Sequence, residues 1–369
     1  MIRGGVGMKK RFRRCLSVLL SCSLFAAALT GCGSSGSKAS EETVSSEAEA
    51  ESSASGEKTA SGDTINIKIA HVSQEGVPID VAMHELGDML SERSDGRITV
   101  SVFPASALGN NTELLEQLQM GTLEMCISSV AFLGAFTDKT KLLDLPYLFV
   151  SNEAAEEVLD GSVGDEMFTS LQDSGFHGLA WLATGWRHVT ANKEIHKPED
   201  MKGLKIRVME NQMHIDHFNA LGASAVPMAF SELYTALQNG TMDAEENPFA
   251  NIDGNRLYEV QKYIVKTGHI YDTSPLLASS TWWNTLSADD QELIEECVSE
   301  VLKKERELSA ANEAELEETI GNNGTNVIIT LTDEEREAFR EAAQPVYDKY
   351  VPQIGQELID QVEQVNAKY

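Results

Sequence analysis

Residues 64–70, TINIKIA, place Ile65, Ile67 and Ile69 on one side of an extended segment, the two-residue period of a half-buried strand. The apolar period lengthens to that of a helix over 81–93, returns to two over ITVSVF at 98–103, and lengthens again over 114–120, where Gly121 ends the helix. A second unit with the same grammar begins near Trp181. It has a strand around 188–190, a helical turn opened by Pro198, a strand at 204–208, a helix around 213–221, a short segment at 225–227, a helix over 231–238 and another short segment at 242–244. Strands alternating with helices in two successive sets predict an α/β fold of two lobes with a cleft between them.

Beyond Thr281 the pattern becomes one of long, charge-rich helices. Ser287 with Asp290 predicts a cap for a helix reaching about residue 320, Thr332 with Glu335 a capping box for a helix toward 347, and residues 351–365 a last helix. These helices are expected to brace both lobes. The expected division is 64–184 with 273–312 as the first lobe, and 185–272 with 313–369 as the second.

The amino end reads differently. Lys9, Lys10, Arg11, Arg13 and Arg14 precede an apolar run over 16–29 and then Leu29, Thr30, Gly31 and Cys32, the order of an export signal occupying residues 1–31. Cys32 after Leu-Thr-Gly resembles a bacterial lipobox, which implies a diacylated cysteine as the new amino terminus and firm membrane anchorage by two acyl chains. Residues 32–63 are Ser, Ala, Glu and Gly with almost nothing to bury, a flexible tether.

Charge narrows the partners. Among 369 residues, 58 are acidic and 29 basic, a formal net charge of -29; the leader holds six basic and no acidic residues, so the remainder stands at -35. Binding a polyanion requires basic groups to replace its counterions, so no nucleic-acid partner is expected. No Walker loop, dinucleotide fingerprint, nucleophile elbow or zinc-like Cys/His spacing occurs, and neither enzyme chemistry nor a cofactor is expected. His214 and His217, three apart without a third ligand at a matching spacing, are expected to be exposed or capping rather than metal-binding.

The densest stretch is 185–248: GWRHVTAN at 185–192, PEDMKGLKIRV at 198–208, LGASAVPMAFSELYTALQNG at 221–240 and DAEENP at 243–248. In order and spacing these segments resemble the extracytoplasmic solute-binding subunits of tripartite ATP-independent periplasmic (TRAP) transporters, the dicarboxylate-binding family, over roughly residue 65 to the end. The resemblance implies two lobes closing over an organic acid, a C4-dicarboxylate or a sugar acid such as a hexuronate, and delivery to the large and small membrane subunits of the transporter. It implies that Arg207 forms a bidentate salt bridge to the ligand carboxylate, a contact for which a planar guanidinium suits better than an ammonium. Arg187 matches a second arginine that contacts the same carboxylate or closes the lobes, and Asn247 a ligand-contacting amide. Phe230 is expected in the cleft with Tyr234 as a polar contact, and His71 and Ser73 at the ligand's far end. Ser129 stands where sialate-binding members carry an acid, which favours a smaller ligand. Trp283 is either a lid aromatic at the ligand or a core residue. Glu246 is expected to orient an arginine or a hinge. An ABC-type or sensor-associated receptor shares the cleft and leader, and an exported hydrolase or lyase could hold an acid with Arg207 and Glu246.

Overall fold

The structure is a computed structural model that describes residues 63–369. The leader, Cys32 and nearly all of the tether lie outside the described residues. Eleven strands follow in chain order among them: β1 (Ile65–Ala70), β2 (Ile98–Phe103), β3 (Met125–Ile127), β4 (Phe176–Trp186), β5 (His188–Ala191), β6 (Lys205–Val208), β7 (Ser224–Pro227), β8 (Ala244–Asn247), β9 (Tyr263–Lys266), β10 (Tyr271–Ser279) and β11 (Val327–Thr330). They form two sheets, one of order β2-β1-β3-β10-β4 and one of order β11-β9-β5-β8-β6-β7.

The first sheet shows why the alternation in 64–70 matters. Ile67 and Ile69 sit on one side of β1, fully buried, and β1 pairs in parallel with β2 in the register Ile67↔Val100. On that side α1 (Pro78–Arg93) supplies Met83, Leu86 and Leu90 to a core that also holds Trp283. On the other side α2 (Asn111–Met120), α3 (Asn152–Leu159) and α4 (Ser162–Leu171) pack over Cys126 and Phe176. Asn110 caps α2 through a capping box with Glu113, and Gly121 closes it at φ 69°, a left-handed conformation that glycine adopts without a Cβ clash. Trp181, expected to open the second unit, lies inside β4, whose antiparallel partner β10 returns from the second lobe to finish the first sheet.

The second sheet is flanked by α5 (Gln212–Ala220), α6 (Leu233–Gln238) and α7 (Phe249–Gly254). The chain crosses between sheets at Arg187, where β4 gives way to β5, and again over 267–270 between β9 and β10. After α8 (Ser280–Trp283), a third link is α9 (Ala288–Gly321), 34 residues and so about 50 Å long, capped by Ser287. It packs on α1 and β4 of one lobe and on α7 and β11 of the other.

The tail corrects two expectations. The capping box of Thr332 and Glu335 starts α10 (Asp333–Ala342), but α11 (Gln344–Ile354) and α12 (Gln356–Asn366) are separate helices broken at Gly355, φ 103°, rather than one helix over 351–365. Val346, Tyr350, Leu358, Ile359 and Val362 join the core of the first sheet, beside Leu114 and Phe176. The segment 313–369, expected in the second lobe, therefore returns to the first after α10. The apolar face of α12 reads equally well toward either lobe, and only the uncovered surface of the first sheet decides where it is buried.

Candidate functional site

Strand ends from both sheets converge on one narrow cavity of about 40 Å³. From the first lobe come His71 and Ser73 after β1, Ser129 after β3, Thr184 on β4, and Asp272 and Ser274 on β10. The second lobe contributes Arg207 on β6, Phe230, Asn247 at the end of β8 and Asn251 on α7. Gln74 Nε2 also donates to Asn255 Oδ1 across the cleft at 3.0 Å.

The first-lobe wall is polar and locally organised. The β4/β10 register shifts between Asp272 and Thr273, so Thr184 is an extra residue in β4. The backbone groups freed beside it are satisfied by α9: Ala183 N–H donates to Glu305 Oε2 at 3.0 Å and Ser309 Oγ donates to Ala183 O at 2.9 Å. Burial pushes the Glu305 carboxyl up to about 8. Thr184 and Ser274 share a hydroxyl hydrogen bond of 3.0 Å, and Ser129 Oγ donates to Asp272 Oδ1 at 3.2 Å. His71 Nε2 lies 3.2 Å from Asp80 Oδ1, both buried.

The two arginines expected at the ligand have opposite surroundings. Arg207 is 1% exposed, and its Nε and Nη2 donate to the Met228 carbonyl at 3.0 and 2.8 Å. Its Nη1 is buried with no hydrogen-bond partner, and the Phe230 ring centroid lies 5.7 Å from the guanidinium carbon. Burial brings its pKa down to about 10, with Glu246 opposing, so the group stays charged at neutral pH.

Arg187, also 1% exposed, is surrounded by acceptors. Nε and Nη2 donate to the Glu246 carboxylate at 2.5 and 2.9 Å, Nη1 to Asp272 Oδ2 at 2.5 Å, and Nη2 to the Glu246 carbonyl at 2.6 Å. Burial opposes its charge, but Glu246 and Asp272 outweigh that and hold its pKa above the ordinary arginine range. Arg187 thus ties β8 of one lobe to β10 of the other and offers a ligand little net charge. Glu246 orients an arginine, as its position suggested: although burial would raise its pKa, Arg187, His214 and His269 keep it well below the carboxylate range. Next to it, Asn247 Nδ2 donates to Glu245 Oε2 at 2.6 Å, and burial raises Glu245 to about 7.

Two expectations are corrected here, and one left open is decided. His214 and His217 are buried, not exposed or capping. His214 Nε2 lies 3.0 Å from Asp144 of the first lobe, and Asp144 and Glu246 together lift its pKa to about 9 against burial. His217 stacks near His269 with both ring nitrogens unpartnered, and burial first, then its histidine neighbours, hold it well below its ordinary pKa. Tyr234 does not line the cavity; its hydroxyl donates to Glu259 at 3.2 Å on the exposed side of α6. Of the two readings of Trp283 the core one holds: it is 4% exposed, stacks on His177 at 4.4 Å and does not line the cavity. Conversely, Asn111, Thr184, Asn251, Asp272 and Ser274 line the cavity without having been anticipated. For Asp272 and Ser274 the available signal was the polar run Asp272, Thr273 and Ser274 in a wholly buried strand.

Two α/β lobes joined by crossing strands, with a polar cleft holding one incompletely paired cation, define a small-molecule binding protein. Residues 69–353 match the family described as bacterial extracellular solute-binding protein, family 7. The chain belongs to that family, the TRAP solute-binding subunits, which are extracytoplasmic carriers and not catalysts. A solute-binding protein of Verminephrobacter eiseniae is 36% identical over 299 residues, covering 81% of this chain and 87% of its relative. A TRAP periplasmic solute-binding protein of Shewanella oneidensis with bound succinate superposes with a TM-score of 0.80 at 29% identity, over 82% of this chain and 99% of the other. A sugar-acid-binding protein of Advenella mimigardefordensis in complex with galactonate gives 0.80 at 31% identity, over 83% and 99%.

Proposed function

We propose that this chain is the extracytoplasmic receptor of a TRAP transporter for a hydroxylated organic acid held through one carboxylate. The lobes close over the ligand and deliver it to the large and small membrane subunits. Closure is a population shift, driven by contacts that both lobes make only when together. The observation that carries this reading is Arg207 Nη1, a buried charged donor without an acceptor, since such a group is costly until an anion accepts from it.

The remaining wall supports a sugar acid such as a hexuronate. Ser73, Asn111, Ser129, Thr184, Ser274 and Asn251 offer hydroxyl and amide groups, while the other lining arginine, Arg187, is already paired with two carboxylates. A C4-dicarboxylate is the second reading, favoured by the succinate-bound relative. Isothermal titration with galacturonate, glucuronate, gluconate, malate and succinate separates them: hydroxylated monocarboxylates are expected to bind at least tenfold tighter than succinate. Equal or tighter succinate binding defeats the preference, and retained binding in Arg207→Ala defeats the anchor.

Residues 1–31 serve on this reading as a lipoprotein signal, with Cys32 diacylated and residues 32–63 as the tether. Mass spectrometry of the mature chain should find a lipidated Cys32 at its amino terminus. A Cys32→Ser chain that still partitions quantitatively with membranes would refute the anchor.

A further inference from the structure

A second cavity, of about 550 Å³, lies against the strands that cross between the sheets and is separate from the cleft. Trp186, His188, Lys266 and Gly268 of the two crossings line it, together with Tyr147 of the first lobe and Arg336 and Arg340 of α10. Three cations, Lys266, Arg336 and Arg340, and two carboxylates, Glu153 and Glu313, line it, and two of its donors lack acceptors. The Tyr147 hydroxyl and His188 Nε2 are both buried without a hydrogen-bond partner. His188 Nδ1 accepts from the Gly268 N–H at 3.2 Å, and burial holds the ring below its ordinary pKa, so the neutral ring carries its proton on Nε2.

Arg336 and Arg340, four residues apart and hence on one face of α10, form no ion pair among the described residues, in a chain with twice as many acidic as basic side chains. Arg340 Nη2 donates only to the Tyr147 carbonyl, at 3.2 Å. Both guanidinium groups act on the Tyr147 phenol, lowering a pKa that burial raises more strongly. Tyr147 itself adopts φ 60°, a left-handed conformation unusual for an aromatic residue, held by its N–H donating to the His269 carbonyl at 2.7 Å. Of the two lining carboxylates, Glu313 lies 3.7 Å from His188 Nε2, beyond hydrogen-bond distance, and Glu153 stands in the first turn of α3; Lys266 pairs with Glu317, which leaves the two arginines as the lining cations without an ion pair among the described residues.

We propose that this cavity is a second anion site, in which Tyr147, His188, Arg336 and Arg340 hold a small oxyanion, a carboxylate or a phosphate, against the crossing strands. An anion held there links the loop after Leu145 in the first lobe to α10 in the second. The site is therefore placed to bias the arrangement of the lobes.

The test uses the full chain at constant ionic strength, titrated with inorganic phosphate and, separately, acetate. Arg207→Ala provides a background that removes the cleft anchor. Saturable binding of at least one probe is expected to persist in Arg207→Ala and to weaken tenfold or more when Arg336→Gln and Arg340→Gln are added, with a smaller loss for Tyr147→Phe. Which probe binds tells phosphate from carboxylate chemistry. The proposal is overturned if neither probe binds in the Arg207→Ala background, or if binding is unchanged by the two glutamines. It is equally overturned if those glutamines alter only capture by the membrane subunits, which would make the surface a docking face for the permease.

Discussion

The crossing-strand cluster around Arg187 and the cleft wall around Arg207 contain the same side chain at the same 1% exposure, yet they surround it in opposite ways. Around Arg187 the guanidinium meets Glu246 and Asp272, and its desolvation is offset within the protein. Around Arg207 the protein offers a single carbonyl and an aromatic ring, and one nitrogen is left without an acceptor. A buried charge paired internally organises structure; one left incomplete can still accept a partner, which is the role proposed for Arg207. The identity of an arginine says nothing about which of these it does.

The most severe way to break this contrast is Arg187→Ala. It strands Glu246 and Asp272 in the interior and should lower unfolding free energy by about 3–5 kcal/mol, read by urea denaturation without ligand. A variant that keeps its stability but loses ligand would make Arg187 an anchor instead. Arg207→Ala should do the reverse: ligand affinity falls about a hundredfold, roughly 3 kcal/mol, while the unliganded protein melts within a few degrees of the parent. Calorimetric titration beside a thermal melt gives both numbers.

A smaller, pH-dependent effect tests the cluster from its other end. His214 has a folded pKa raised to about 9 by Asp144 and Glu246, so the stability it contributes is present in full below the unfolded value near 6.5 and is lost as pH rises through 9. Stability should fall by on the order of 2–3 kcal/mol across that window. Glu245 and Glu305, whose pKa values burial raises to about 7 and 8, steepen the fall from the acid side. His214→Gln should flatten the upper part of the curve; an unchanged slope would place the titrating group elsewhere. The smallest effect belongs to Tyr234→Phe, which removes an exposed hydroxyl outside the cavity and should change affinity by less than about 0.5 kcal/mol.

Much of the fold was legible because its signals are local. The alternation in TINIKIA marked β1, Thr332 with Glu335 marked the start of α10, and Gly121 marked the end of α2. The cleft was legible from the order of segments between 185 and 248 and the family they resemble. What escaped reading depended on distant partners. His214 and His217 sit on a helix of mixed polarity whose sequence favours solvent and burial equally, until Asp144 from the other lobe closes over it. Trp283 and Tyr234 were placed by the surfaces that cover them, the His177 ring in one case and solvent in the other. Thr184 and Ser274 reach the cavity through a bulge that no local pattern announces.

By itself the sequence determined two α/β lobes and their capped helices, because two-residue and 3.6-residue periods and capping pairs act within a few positions; the expectation of a cationic anchor came from the family its segments resemble. Tertiary structure alone decided which arginine is free. Arg187 meets Glu246 at a separation of 59 residues and Asp272 at 85, distances over which only packing brings charges together. Because a buried charge is costly without its partners, the arginine left without a complete set is the one that the proposed function assigns to the ligand.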